Sequence, residues 1–162
     1  MAENKKKILQ IKDLNNIRDN LKKKGKIIVA TNGCFDLFHT GHLDSLNFAS
    51  KQGDILFVGL NSDRSIRKLK GKYRPIITYG ERAKLLSFIQ CVDYVVEIIL
   101  DPEKFYDTLR PDVLVKGSEY KNHKIIGSEA VIKSGGKIKF FERLNDISTS
   151  KIIKKIKDKS FN

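Results

Sequence analysis

Residues 27–42 read Ile-Ile-Val-Ala-Thr-Asn-Gly-Cys-Phe-Asp-Leu-Phe-His-Thr-Gly-His. The opening run, Ile27–Thr31, is apolar and rich in β-branched residues, as expected of a strand buried on both faces inside a parallel sheet. The chain then leaves this strand and enters a helix that starts after Gly41 and carries Leu43, Leu46 and Phe48. A strand that feeds a helix in this way is one unit of a βα repeat. In open α/β sheets, ligands bind at the carboxyl ends of the strands, so this loop is the first place to look for chemistry.

The same alternation continues in both directions. Further strands are expected at Ile55–Leu60, Tyr94–Ile98, Val113–Lys116 and Ile138–Phe141, each a short apolar run. Helical spacing of Leu14, Ile17 and Leu21 after a cap at Asp13 predicts an N-terminal helix over about residues 13–24. A helix over Tyr79–Ile89 is expected to turn Ala83, Leu85, Leu86 and Phe88 inward, and Asp101-Pro102 opens another that runs through Leu109. Residues 127–134 form a short helix before Gly135-Gly136, and a last helix begins near Ser148 with Ile152, Ile153 and Ile156 on one side. The expected fold is α/β: a Rossmann-like, doubly wound, five-stranded parallel sheet with helices on both faces. The segment Ser65–Thr78, with Arg67, Lys68, Lys70, Lys72 and Arg74 around Gly71, reads as a basic loop beside a strand end.

The 162 residues suffice for one domain, with a core over about 26–157, and leave no room for a second. No apolar run approaches the roughly 20 residues that cross a bilayer. Met1–Lys7 is charged and lacks the apolar stretch of a secretory signal, so a cytoplasmic protein without a membrane partner is expected. Two cysteines, Cys34 and Cys91, are too few for a disulfide framework and read as reduced, buried thiols. The net charge is +13, from 25 Lys and 7 Arg against 19 acidic residues. Such a balance suits anionic ligands. The lysines are nonetheless spread over Lys5–Lys7, Lys22–Lys26, Lys68–Lys72 and Lys151–Lys159, without the arginine forks and interleaved aromatics of a nucleic-acid surface. A basic nucleic-acid-binding module is therefore the different-class alternative, and nucleic acid is not the expected partner.

Two of the three histidines, His39 and His42, stand three apart across Gly41 at the start of the first helix after the strand. The free N–H groups of a helix N-terminus attract anions, and two imidazoles beside them would donate to oxygens that gain charge in a transition state. Gly41 would let a phosphate approach the backbone closely. No third ligand stands near the pair, so no metal site is expected.

With these residues, the chain resembles the cytidylyltransferase-like nucleotidyltransferases, marked by His-x-Gly-His. Within them it is most similar to the heptose 1-phosphate adenylyltransferase family. Thr31–His42, Gly59-Leu60-Asn61-Ser62-Asp63, Leu69-Lys70-Gly71 with Arg74-Pro75, Glu81-Arg82, Val92-Asp93, Leu114-Val115-Lys116-Gly117 and Ile147–Ile153 follow that family's order. The resemblance implies transfer of AMP from ATP to a sugar 1-phosphate, with pyrophosphate released and ADP-heptose formed. It implies His39, His42 and Lys70 at the reacting phosphates. It places Thr31, Gly33, Cys34, Phe35, Gly41, Arg82, Lys116, Gly117, Ile147, Ser148, Thr149 and Ser150 around the nucleotide, and Asp36, Asn61 and Arg143 around the acceptor. Magnesium would arrive with ATP, and superfamily habit points to a homodimer. Arg143 also matches an arginine of the glycerol 3-phosphate cytidylyltransferases, which keeps a CTP-dependent enzyme for glycerol phosphate or a similar phosphoalcohol as the alternative; a flavin-adenylating enzyme is a third. The heptose family often carries this domain behind a sugar kinase, so separate kinase and transferase chains are expected here.

Overall fold

The computed structural model describes residues 6–143 and 146–158. Met1–Lys5 and Lys159, at the ends of two lysine runs, lie outside the described residues. In chain order the elements are β1 (Ile8–Leu9), α1 (Leu14–Lys23), β2 (Ile28–Gly33), α2 (Thr40–Ser50), β3 (Ile55–Asn61), α3 (Asp63–Lys70) and α4 (Tyr79–Ser87). They continue as β4 (Tyr94–Ile98), α5 (Glu103–Leu109), β5 (Val113–Gly117), α6 (Ser128–Lys133), β6 (Lys137–Phe141) and α7 (Thr149–Asp158).

Among the described residues every strand pairing is parallel, in the order β1-β4-β3-β2-β5-β6. From β2 the chain winds outward through β3 and β4, then returns to place β5 and β6 on the other side. The strand order therefore reverses between β2 and β5, which is where such sheets open a crevice.

Period-two alternation distributes the strand residues between two cores. Val29, Val58, Val95 and Val115 face one side, where Leu46 and Ala49 of α2 and Ala83 and Leu86 of α4 cover them. Ile28, Ala30, Phe57, Val96 and Leu114 face the other, under Leu14 of α1, Phe105, Tyr106 and Leu109 of α5, and Val131 of α6.

Three expectations are corrected. The sheet has six strands rather than five, because Ile8–Leu9 joins the edge against Val95 and Val96. Two residues carry no periodic pattern of their own; the partner strand makes them a strand. The basic segment after residue 62 is largely helix, since α3 spans Asp63–Lys70 and only Gly71–Thr78 remains loop. Ser62 caps α3 by accepting from Ser65 N–H at 3.1 Å, and Asp63 in the first turn with Arg67, Lys68 and Lys70 in the last suits the helix dipole. Last, α4 turns Ala83 and Leu86 inward but leaves Leu85 and Phe88 exposed. At about 100° per residue, Leu85 lies on the far side from Ala83, and the sheet touches one stripe only.

Some expected details also change. Asp13 directs its carboxylate back to the Gln10 N–H at 3.2 Å instead of capping α1. Both cysteines are free and half-buried. No described helix is long and apolar enough to cross a membrane.

Candidate active site

The crevice between the ends of β2 and β5 is lined by the residues that the opening motif supplies. Thr31, Asn32, Gly33, Cys34 and Phe35 come from β2 and its exit, His39, Gly41, His42 and Ser45 from the start of α2, and Lys116, Gly117, Glu119 and Tyr120 from β5 and the turn after it. Phe141 and Arg143 close the far wall, and the enclosed space is about 170 Å³.

Local conformation explains how the imidazoles reach this place. Phe35 sits in the left-handed region at φ 44°, a conformation costly for a bulky residue and frequent at functional sites. Its ring lies against Gly33, where an added Cβ would come within 2.9 Å of it, and 5.1 Å from the His42 ring. His39 is the N-cap residue of α2 and His42 follows in the first turn. Their rings stack with centroids 3.8 Å apart and planes 18° from parallel. The Nδ1 atoms of both are buried without a hydrogen-bond partner among the described residues. Buried polar atoms are usually paired, so two such atoms together mark a place where a ligand or water is expected.

Burial, the neighbouring His39 and the positive Arg143 together push the His42 pKa down to about 3, against a smaller upward pull from Asp36. Burial and Arg143 lower His39 as well. The pair is neutral at physiological pH and offers N–H donors rather than charge.

The charge comes from Lys116, at the end of β5. The residue is 9% exposed and no carboxylate pairs with it among the described residues. The ammonium donates to Asn32 Oδ1 and stands 5.1 Å from the Tyr120 ring centre. Burial lowers its pKa to about 8, opposed chiefly by the negative charge of Glu119. Arg143, on the rim, pairs with Glu119 at 3.3 Å. Gly117 lets the Glu119 carboxylate fold against the backbone, where an added Cβ would come within 2.1 Å.

A second helix start meets the first. Thr149 Oγ1 donates to Leu37 O at 3.3 Å, and Ile147 Cγ2 lies 3.4 Å from where a Cβ on Gly41 would stand. Ser148 caps α7 by accepting from Lys151 N–H at 3.2 Å, while Ser150 is exposed. The N-terminal ends of α2 and α7 thus approach one another beside the crevice.

Other residues expected at the site are occupied structurally. Arg82 is 2% exposed, and its guanidinium donates to the carbonyls of Ile77 (2.9 Å), Cys34 (2.6 Å) and Asn61 (2.9 Å) and to Asp63 Oδ1 (2.7 Å). Asp36, also 2% exposed, accepts from Ile76 N–H at 2.8 Å, Ile77 N–H at 2.9 Å and Arg74 Nε at 2.5 Å. Together they tie the motif loop to the 71–78 loop. Asn61 is buried and donates to Ser65 Oγ at 2.9 Å. Lys70 ends α3 and is exposed, outside the crevice lining. Cys34 has its thiol pKa raised by burial, against Lys70, Arg82 and Arg74, and so stays protonated. Asn32, Ser45, Glu119, Tyr120 and Phe141 also line the crevice. Asn32 was within reach of sequence reasoning, because it stands inside the motif, and so were Glu119 and Tyr120, which follow Lys116-Gly117 closely; Ser45 and Phe141 carried no signal of a site.

The residues do not form a cage for a resident metal: no cluster of three His, Cys, Asp or Glu side chains is placed for one among the described residues. A larger cavity, about 720 Å³, lies at the β1 edge between Ile8–Lys12 and Ile99–Asp101, away from the histidines.

Residues 30–155 match the sequence model of the family described as Cytidylyltransferase-like. The chain is 44% identical over 154 residues to the "Bifunctional protein HldE" of Syntrophotalea carbinolica, an alignment covering 94% of this chain and 31% of the relative. It is 48% identical over 149 residues to the protein of the same name in Helicobacter pylori, covering 91% and 31%. The chain therefore spans about three tenths of the length of these curated relatives. Among solved structures, the "lipopolysaccharide core biosynthesis protein" of Thermoplasma volcanium superposes with a TM-score of 0.61 at 28% identity, over 76% of this chain and 100% of that one. Pantoate-beta-alanine ligase of Francisella tularensis superposes with a TM-score of 0.58 at 15% identity, over 88% and 68%, a likeness of fold alone.

Proposed function

The chain belongs to the cytidylyltransferase-like family of nucleotidyltransferases, and from that premise we propose that it transfers AMP from ATP to a heptose 1-phosphate, releasing pyrophosphate and forming ADP-heptose. The observation that carries this reading is the crevice at the strand reversal. Two imidazole nitrogens without a hydrogen-bond partner and one nearly buried ammonium without a carboxylate partner, among the described residues, converge there, and both helix N-termini stand beside it. A polyphosphate supplies what each of these groups lacks. The heptose acceptor is supported by the order of motifs from Thr31 to Ile153, and by the identity to the HldE proteins over nearly the whole chain.

The chemistry needs little covalent help. An oxygen of the acceptor's phosphate attacks the α-phosphorus of ATP in line, a new P–O bond forms, and the bond to the β-phosphate bridging oxygen breaks as pyrophosphate leaves. A phosphate monoester is already about −1.5 to −2 charged at neutral pH, so no general base is required. The work is to hold two anions together and stabilise the charge on the transferred group. His39 and His42, neutral as they stand, donate N–H bonds to the oxygens around that phosphorus without giving up a proton. Lys116 supplies the fixed positive charge, and Arg143 on the rim meets the acceptor. Ser148, Thr149 and Ser150 take the β- and γ-phosphates through hydroxyl and backbone N–H groups. Magnesium enters with ATP as part of the substrate, balancing the triphosphate and the departing pyrophosphate. Lys70, at the end of α3 next to the Gly71 loop, reaches the phosphates only if that end moves toward the crevice. A homodimer belongs to the same reading and is checked by sedimentation.

The test is pyrophosphate release with magnesium, crossing ATP and CTP against heptose 1-phosphate and glycerol 3-phosphate. Turnover confined to ATP with heptose 1-phosphate supports the assignment. Turnover with CTP and glycerol 3-phosphate keeps the mechanism and replaces the substrates.

A further inference from the structure

Asn32 stands at the carboxyl edge of the sheet, between α5 and the crevice. Alternation along β2 puts Ile28, Ala30 and Asn32 on the α5 side, and along β5 it puts Leu114 and Lys116 there too. Asn32 Oδ1 receives two donors: the Tyr106 hydroxyl at 2.7 Å and the Lys116 ammonium. Since an ammonium can only donate, the acceptor must be the amide oxygen, and the orientation of the amide follows.

The surroundings are built for this contact. Register pairs Asn32 with Gly59 of β3, and a Cβ on Gly59 would lie 3.1 Å from the Asn32 Cβ, 2.6 Å from Ile98 and 3.0 Å from Phe105. Tyr106 is fully buried, and Gly127, at φ +81°, allows the backbone to pack against its ring, where an added Cβ would come within 2.5 Å. A fully buried tyrosine on α5 thus braces an asparagine that in turn holds a lysine in the crevice. Lysine is a flexible stem with three rotatable donors, and it must be held if its charge is to fall in one place. One donor goes to Asn32, and no other protein acceptor takes the ammonium among the described residues.

We propose that Asn32, braced by Tyr106, is the positioning residue for Lys116, holding its ammonium so that the remaining N–H donors meet an anionic phosphate oxygen of the bound substrate. This rests on the nucleotidyltransferase reading and adds a residue to it. Asn32 is placed as a positioning residue, acting through Lys116. The charged and titratable groups facing the ammonium are Glu119 and Tyr120 from the turn after β5, Cys34 from the exit of β2, Tyr106 from α5 through Asn32, and Arg143 beyond Glu119.

Two readouts separate this from a purely structural role. The first is the titration of the Lys116 side chain by lysine-selective NMR, assigned with Lys116→Arg, which needs no turnover. Asn32→Ala removes the acceptor and lowers the midpoint, whereas Asn32→Asp sets a carboxylate beside the ammonium and raises it. The second is the pH profile of kcat/KM for pyrophosphate release. Its alkaline limb moves to lower pH in Asn32→Ala and to higher pH in Asn32→Asp, and KM for the triphosphate rises about 10- to 100-fold in Asn32→Ala, the worth of one hydrogen bond to a charged group. Tyr106→Phe, which deletes only the hydroxyl, reproduces the KM effect in smaller measure with kcat held. A Lys116 midpoint that is the same in wild type, Asn32→Ala and Asn32→Asp overturns the proposal, whatever the activity. Wild-type protein silent with every triphosphate, yet with the midpoints displaced as stated, sinks the enzymatic reading and leaves the positioning contact standing.

Discussion

Two clusters of polar residues share the carboxyl edge of the sheet, and they differ in what they have left to offer. Around Arg82 and Asp36 the inventory is closed. The guanidinium makes four hydrogen bonds, three to carbonyls and one to Asp63, and the carboxylate accepts three. Around His39, His42 and Lys116 it is open: among the described residues two buried imidazole nitrogens lack partners, and the ammonium has a single neutral acceptor. The first cluster holds loops in place, and the second keeps hydrogen-bonding capacity that the proposed function assigns to a ligand. Both sets of residues stand in motifs of the family, so motif membership alone does not tell one role from the other. Hydrogen-bond saturation does.

The contrast can be broken at several points. The largest effect is expected from Arg82→Met, which leaves Asp63 and three carbonyls without their donor; about 3–5 kcal/mol of stability should be lost, as for other broken buried pairs. Denaturant unfolding measures it. A well-folded Arg82→Met protein with collapsed turnover would instead move Arg82 into the ligand-binding cluster. Next comes His42→Ala, which should keep the fold and lower kcat by about 10²–10³-fold, the usual consequence of losing one transition-state donor. Unchanged turnover in that variant would remove the imidazole from the mechanism.

The pH behaviour sharpens the same comparison. Lys116 carries its charge only below its pKa of about 8, so kcat/KM should fall as pH rises through that value, and Lys116→Arg should carry the limb to higher pH. Stability responds in the other direction on the acid side. His42 has a folded pKa of about 3 against an ordinary 6.5, so between these values the unfolded chain binds the extra proton. Stability contributed by the neutral ring is complete above pH 6.5 and is lost progressively toward pH 3. His42→Gln should flatten that part of the melting temperature curve, and an unaltered slope would mean that the ring is not held neutral. The smallest effect belongs to Ser148→Ala, which removes the cap of α7 for about 1 kcal/mol. A loss of triphosphate affinity larger than that cap can explain would give the serine a second role.

Much of this was legible before any coordinates. The apolar runs at 55–60, 94–98 and 113–116 coincide with strands because a strand buried on both faces must be apolar throughout, whatever its partners. His39 and His42 could be placed at a helix start by the break from the strand run to the helical pattern. The edge strand Ile8–Leu9 was not legible, since two residues have no period, and its identity comes from Val95 and Val96. The helix α3 was hidden by its basic composition, although Ser62 and Asp63 were start signals available to be read. The outward Leu85 and Phe88 show that apolar residues in a helix do not name the face that packs.

The sequence by itself determined the class of the sheet, the strand-to-helix unit that carries the histidines, and the family, because each depends on local pattern and on residues close together in the chain. Only the tertiary structure decided which charged groups are spent and which are free. Asn32, Tyr106 and Lys116 are separated by 74 and 84 positions in the chain, and their meeting follows from strand order, from the parity of β2 and β5, and from the bare backbone at Gly59. Hydrogen bonding saturates within about 3 Å, so which partner a buried donor finds is a property of packing in three dimensions.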